Sequence, residues 1–284
     1  MSGVDFCSGE LIHRKDVSGR LAVFTFRCAE PLSFTAGQYT TLGIPCNGEL
    51  IERPYSIVSS PEERCLEFFI ELVPAGLFTP KLWSMRLGAA IQIRRRVVGR
   101  FTLDRSINRH LMIATVTGVA PFISMLRTHQ LEKQLVAGDR DQFLLIHGAS
   151  RSEDFGPYYH ELEEVSNEGW LTYVPTISRP WEEANWRGET GRVEDIVRKH
   201  ADRLVFDSTN SLAYLCGHPQ MIENVKTILG RARFSEHQIL QEHYFSLRES
   251  DLINEQQESV ASLTTSEHGS NQSHNVHSAL GRRL

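Results

Sequence analysis

The pattern of apolar residues changes once along this chain of 284 residues, near position 108, and that change constrains the fold more than any other feature. Upstream, from Gly9 to about Leu103, short β-rich runs alternate with turn residues: Leu21 to Arg27, Tyr39 to Ile44, Tyr55 to Val58, Leu66 to Val73, Ile91 to Ile93 and Arg100 to Leu103. Runs this short and this regular predict an antiparallel barrel or sandwich. Downstream of His110 the order becomes apolar run, loop, helix, repeated. The runs Leu111 to Val116, Phe143 to His147, Leu171 to Pro175 and Leu212 to Leu215 have the length of buried parallel strands. Between them, Val193, Ile196, Val197, Ala201 and Leu204, then Met221, Ile222, Val225, Ile228 and Leu229, keep helical spacing, and the simplest use of both stripes is core. Strand and helix in alternation imply a parallel α/β sheet, with a ligand beyond the carboxyl ends of its strands.

The expected organisation is therefore a two-domain one: an antiparallel β-barrel over 1–108, an α/β parallel-sheet domain over 109–245, and a polar tail over 246–284. That tail is rich in Ser, Gln, Asn, Glu and His and is expected to be disordered. His268, His274 and His277 within it lack a ligand spacing or a carboxylate partner.

Charge and composition exclude several function classes. With 30 Lys+Arg against 35 Asp+Glu, the net charge of −5 disfavours general capture of nucleic acid. The longest uncharged apolar stretch, Leu111 to Leu126, contains Gly118 and Pro121 and falls short of the roughly 20 apolar residues of a membrane span. Asp5, Glu10, Arg14 and Lys15 near the start precede no apolar signal region, so a cytoplasmic location is expected. The five cysteines, at 7, 28, 46, 65 and 216, include no C-x-x-C pair. Disulfide scaffold, zinc ribbon and iron-sulfur centre are all disfavoured, and redox chemistry here needs an organic cofactor.

Four strings carry candidate chemistry. In Arg53-Pro54-Tyr55-Ser56, a guanidinium suits a phosphate, a ring can stack on another ring, and a hydroxyl can donate or accept; taken alone, a Tyr in an alternating strand is usually core. The turn Val73 to Pro80, with Gly76, Leu77, Phe78 and Thr79, offers backbone amides and a hydroxyl to a pyrophosphate, or is an ordinary turn. Thr115, Val116, Thr117 and Gly118 follow an apolar run and open a helix, where free N–H groups gather. Cys216-Gly217-His218-Pro219-Gln220-Met221 repeats that arrangement after a later run, and two such loops on one sheet edge describe an elongated ligand.

In this order, RPYS, TVTGVAPF, HGASRSED, TISRP, CGHPQM and EHYF resemble the ferredoxin (or flavodoxin) NADP reductases of bacterial type. The resemblance implies an FAD-binding β-barrel followed by an NADP-binding α/β domain. It implies electron transfer between NADPH and a one-electron carrier, by hydride transfer between nicotinamide C4 and flavin N5 at about 3 to 3.5 Å. By matching positions, Arg53 binds flavin phosphates, Tyr55 stacks on the ring, Pro54 belongs to the same cofactor-binding string, Ser56 sits near N5, and Gly76 to Thr79 close around the pyrophosphate. Thr115, Thr117, Gly118, Gly217 and Met221 face the nucleotide, Cys216 lies beside the nicotinamide, and Ser178, Arg179 and Arg151 meet the 2′-phosphate. Phe245 covers the flavin and must move for hydride transfer, and Glu242 is a candidate proton carrier or partner for Ser56; as a bare sequence feature it equally suits an exposed strand edge. Alternatives are an NAD(P)H:flavin reductase, an oxygenase reductase component, or a flavin-binding electron-transfer subunit without independent NADPH turnover.

The chain departs from the family at Val116, where a glycine is usual, at Leu77, where a basic residue is common, and at Ser150, where an Arg is common and the next residue is Arg151. Separately, Lys81 to Arg105 holds seven basic residues, Lys81, Arg86, Arg94, Arg95, Arg96, Arg100 and Arg105, against the single acid Asp104. Carriers of this family are typically acidic, so the segment is the expected docking surface for ferredoxin or flavodoxin.

Overall fold

The computed structural model describes residues 5–133 and 140–243. The first six strands are β1 (Phe6–Asp16), β2 (Leu21–Cys28), β3 (Tyr39–Cys46), β4 (Glu49–Ser56), β5 (Cys65–Glu71) and β6 (Ala90–Arg94), with a short helix α1 (Thr79–Ser84) before the last. They form one antiparallel sheet in the order β4-β3-β6-β1-β2-β5. Beyond β4 the chain donates Val58 N–H to Glu67 O of β5 at 2.9 Å, which links the two edges. Inward residues Leu11, Phe24, Phe26, Leu42, Phe68 and Ile93 fill the interior.

The second sheet is parallel throughout. It contains β7 (Arg109–Thr115), β8 (Gln142–Ala149), β9 (Leu171–Ile177), β10 (Glu189–Thr190), β11 (Leu212–Gly217) and β12 (Ile239–His243), in the order β10-β9-β8-β7-β11-β12. Its helices are α2 (Ala120–Lys133), α3 (Tyr158–Ser166), α4 (Val193–Arg203) and α5 (Pro219–Arg231). Both apolar stripes pack as core: Val193, Ile196, Val197, Met221, Ile222, Val225 and Leu229 cover one sheet face. The opposite face, Met112, Ala114, Phe143, Leu145 and Tyr214, packs with Phe122 and Ile123 of α2 and with Val23, Val58, Phe69 and Phe101 of the first half. One core thus spans both sheets. Ser124 Oγ on α2 donates to Ser59 O at 2.7 Å, and Arg127 joins Glu161 of α3 at 2.6 Å and Glu67 of β5 at 3.3 Å. Among the described residues no helix is long and apolar enough to cross a membrane.

Among the differences from the expectations, three lie in the strands of the first half. β1, the longest strand, has Cys7, Gly9 and Leu11 as its buried positions, too weak an apolar signal to stand out. β4 runs from Glu49 to Ser56 rather than from Tyr55 to Val58; it is a half-exposed edge strand, where Pro54 is tolerated because its missing N–H faces no partner strand. Arg100 to Leu103 forms no strand: Phe101 is drawn into the shared core against Phe122 at 5.6 Å, so the segment runs as an extended connector.

Candidate functional site

Parallel pairing carries the loops after β7, β8, β9 and β11 to one edge of the second sheet. Cys216 is paired in register with Ala114 on one side and Glu242 on the other. Thr115 ends β7, and the 3-10 turn Val116–Val119 leads directly into α2. His218 caps α5 by accepting from Gln220 N–H at 3.1 Å, with Pro219 at the first helical position, where a missing N–H costs nothing. The His218 N–H in turn donates to Thr115 Oγ1 at 2.9 Å, tying the two loops together.

The loops approach so closely that only glycine fits at two points. A Cβ on Gly118 would lie 2.4 Å from Cys216 O, and one on Gly217 would lie 2.2 Å from Thr115 Oγ1. Gly217 also has φ +134, which L side chains rarely adopt. Val116 has φ 46, an outlier for a β-branched residue. Its carbonyl accepts from His147 Nε2–H at 2.9 Å, while His147 Nδ1 faces Tyr173 OH at 3.3 Å. Burial pushes His147 down to about 4, partly offset by that hydrogen bond.

The first sheet reaches the same edge at Ser56. Its hydroxyl donates to Glu242 Oε1 at 2.6 Å, and burial holds the Glu242 carboxyl above the usual range, with the Ser56 bond opposing. Glu242 is therefore paired inside the fold, at β12, and not a free strand-edge carboxylate. Ser56, Glu242 and Cys216 are consecutive neighbours across three strands. Tyr55 stands beside Ser56 with its ring 5.6 Å from that of Phe78, tilted by 36°. Pro54 is exposed, and Arg53 donates from Nη1 to Glu52 O at 2.8 Å.

The turn before α1 is closed by Thr79, which accepts from Val73 N–H at 2.9 Å and donates to Val73 O at 3.1 Å. Its hydroxyl shapes the loop rather than pointing out of it. Gly76 N–H also returns to Val73 O at 2.9 Å, whereas the amides of Leu77 and Phe78 make no hydrogen bond among the described residues. Loop amides left open in this way suit a phosphate. The open amides next to Tyr55 fit the phosphates of a flavin dinucleotide, and the paired loops at Gly118 and Gly217, at the carboxyl ends of β7 and β11, fit the place of a nicotinamide nucleotide.

At the far end of the edge, after β8 and β9, Ser178 N–H donates to Ala149 O at 3.0 Å and Arg179 N–H to Ser150 O at 3.2 Å, which brings Arg179 to Arg151. Met221 is packed in the core with Ile222 and Val225, as part of the apolar stripe of α5. Phe245 and the tail 246–284 lie outside the described residues. Two residues that sequence reasoning passed over are His147, a histidine inside an apolar strand run, and Glu182, whose only sequence signal is its closeness to Arg179.

Residues 8–102 match the oxidoreductase FAD-binding domain and residues 112–227 the oxidoreductase NAD-binding domain. The flavodoxin/ferredoxin NADP reductase of Shigella flexneri is 34% identical over 215 residues, 72% of this chain and 83% of its own length. The chain belongs to the flavodoxin/ferredoxin NADP reductase family. The Escherichia coli (strain K12) reductase of the same name is 33% identical over 217 residues, again 72% of this chain and 83% of its own. A ferredoxin NADP+ reductase structure from Neisseria gonorrhoeae, solved with FAD and NADP, superposes with a TM-score of 0.76 at 24% identity, covering 85% of this chain and all of that one. As a member of this family the chain is an oxidoreductase built from an FAD-binding antiparallel sheet and a nicotinamide-nucleotide-binding parallel sheet.

Proposed function

We propose that this reductase moves electrons between NADPH and a one-electron carrier protein, a ferredoxin or flavodoxin. The observation that carries the reading is the Ser56 to Glu242 hydrogen bond of 2.6 Å, because it joins the flavin-side string to the strand beside Cys216. Bound there, FAD supplies the conversion between a two-electron donor and a one-electron acceptor. The protein's own contribution is orientation and proton control.

Arg53 and the open amides of Leu77 and Phe78 hold the flavin phosphates, and Tyr55 lies against its ring. Ser56 and Glu242 share a proton at the reacting end; with its carboxyl raised by burial, Glu242 keeps that proton nearer to neutral pH than an exposed carboxyl does. Thr115, Thr117, Gly118 and Gly217 receive the nicotinamide end of the nucleotide beside Cys216. Arg151, Ser178 and Arg179 receive the 2′-phosphate, whose oxygens match planar guanidinium groups. Phe245 gates the nicotinamide. The domain limits 1–108 and 109–245 accompany this division of labour.

The carrier docks on the basic segment, on Lys81, Arg86, Arg96 and Arg100, which make no ion pair among the described residues. Anaerobic titration of the purified FAD-loaded protein with NADPH, followed by addition of ferredoxin or flavodoxin, tests the whole reading. Carrier reduction is expected; a protein that bleaches with NADPH yet passes electrons only to ferricyanide would overturn the carrier assignment.

A further inference from the structure

The two arginines at the far end of the sheet edge already hold an anion. Arg151 Nε meets Glu182 Oε2 at 2.6 Å, and Arg179 Nη1 lies 3.6 Å from Glu182 Oε1. One carboxylate therefore spans both guanidinium groups, occupying the space between them. All three side chains are partly exposed, Arg151 by 41%, Arg179 by 47% and Glu182 by 32%, so an incoming ligand can reach the place.

The neighbouring residue shows that Glu182 is not needed to fasten its own turn. Glu182 lies in the 3-10 turn Pro180–Glu182, whose backbone is closed by Glu182 N–H donating to Arg179 O at 3.1 Å. The following Glu183 anchors that turn to the loop after β8, accepting from Ser152 N–H at 2.7 Å and from the Ser152 hydroxyl. With the backbone held by Glu183, the Glu182 carboxylate is free to swing out on its own side-chain torsions.

We propose that Glu182 is a specificity-determining residue: an internal anion that competes with the ligand's 2′-phosphate for Arg151 and Arg179, and so sets how strongly the protein prefers NADPH over NADH. This rests on the reading that these arginines take the 2′-phosphate. A phosphate dianion outbids a carboxylate for two guanidinium groups, but it must first break the existing pairs and then tolerate the displaced carboxylate nearby. A 2′-hydroxyl brings no charge and leaves the pairs in place. Exposed ion pairs are individually weak, so removing this one is expected to strengthen binding of a 2′-phosphate by about three- to tenfold.

The test is calorimetric binding of adenosine 2′,5′-bisphosphate and of 5′-AMP to the FAD-loaded protein, beside KM and kcat for NADPH and NADH. Glu182→Gln is expected to tighten the bisphosphate about three- to tenfold relative to 5′-AMP, and to lower the KM for NADPH against that for NADH without a matching change in kcat. Weaker or unaltered bisphosphate binding in this variant overturns the role of Glu182. Arg151→Ala/Arg179→Ala keeps the two failures apart. If the double variant loses the bisphosphate while Glu182→Gln tightens nothing, the phosphate site stands and only the competitor falls. If the double variant binds the bisphosphate as before, the site itself is misplaced.

Discussion

At the scale of single residues, Val116 has φ 46, a conformation costing an L residue roughly 1 to 2 kcal/mol. The residue type was visible in the sequence; its left-handed backbone angle was not, because a string of residue types does not contain the turn in which the Val116 carbonyl meets His147. Val116→Gly relieves the strain and loses some packing, whereas Val116→Ala loses packing and keeps the strain. The glycine variant is therefore expected to be the more stable of the two by about 1 kcal/mol in urea unfolding, the reverse of the usual ranking of alanine and glycine. The ordinary ranking would mean that the left-handed angle costs nothing. His147 adds a pH dependence. Its folded value, about 4, is below the ordinary 6.5, so the unfolded chain binds a proton that the folded chain refuses in between. Stability rises with pH across that window and is lost as pH falls from about 6.5 towards 4, up to about 3 kcal/mol from this one ring. His147→Gln should remove one proton from the pH slope of unfolding; an unchanged slope would assign the acid sensitivity to other groups.

At the scale of elements, what could be read in advance were the segments whose apolar residues face one way. β2, β3, β7, β8, β9 and β11 and both helical stripes of the second half lie close to their expected places. β1 and β4 escaped because a strand buried on one face through Cys and Gly, or left half-exposed at an edge, has no strong period. The turn before α1 was legible as a turn, yet Thr79 was expected to meet a phosphate, while both of its hydrogen bonds go to Val73. Side-chain to backbone closure of this kind is decided by loop geometry, which a string of residue types does not contain. Thr79→Val keeps the shape of the side chain and deletes both bonds. The open amides of Leu77 and Phe78 should then lose their fixed direction, and FAD should be held about tenfold more weakly, equivalent to about 1.4 kcal/mol. Flavin fluorescence on dilution reads this directly. Retention equal to the parent would mean that Thr79 does not shape the phosphate loop.

For the whole molecule, the charge of the Lys81 to Arg105 segment was countable from the sequence, but its free charge was not, because ion pairs form between residues far apart in the chain. Arg94 is paired with Asp5 and Glu52 and lies 4.8 Å from the centre of the Phe6 ring; Arg95 is paired with Glu30, and Arg105 with Glu132. These arginines brace the first sheet or join it to α2, so reversing Arg94 and Arg95 is expected to lower the unfolding midpoint rather than to report on docking. Arg86, Arg96 and Arg100 are exposed and project charge outward. An acidic carrier is attracted to them over about 30 Å at 0.01 M salt but only about 10 Å at 0.1 M. Reversing these three to Glu should slow carrier reduction by at least about tenfold at low salt, flatten its dependence on ionic strength, and leave ferricyanide reduction and the melting temperature near those of the parent. Equal loss of both activities would place the damage at the flavin. An unchanged carrier rate with its salt dependence intact would move the docking surface elsewhere on the molecule.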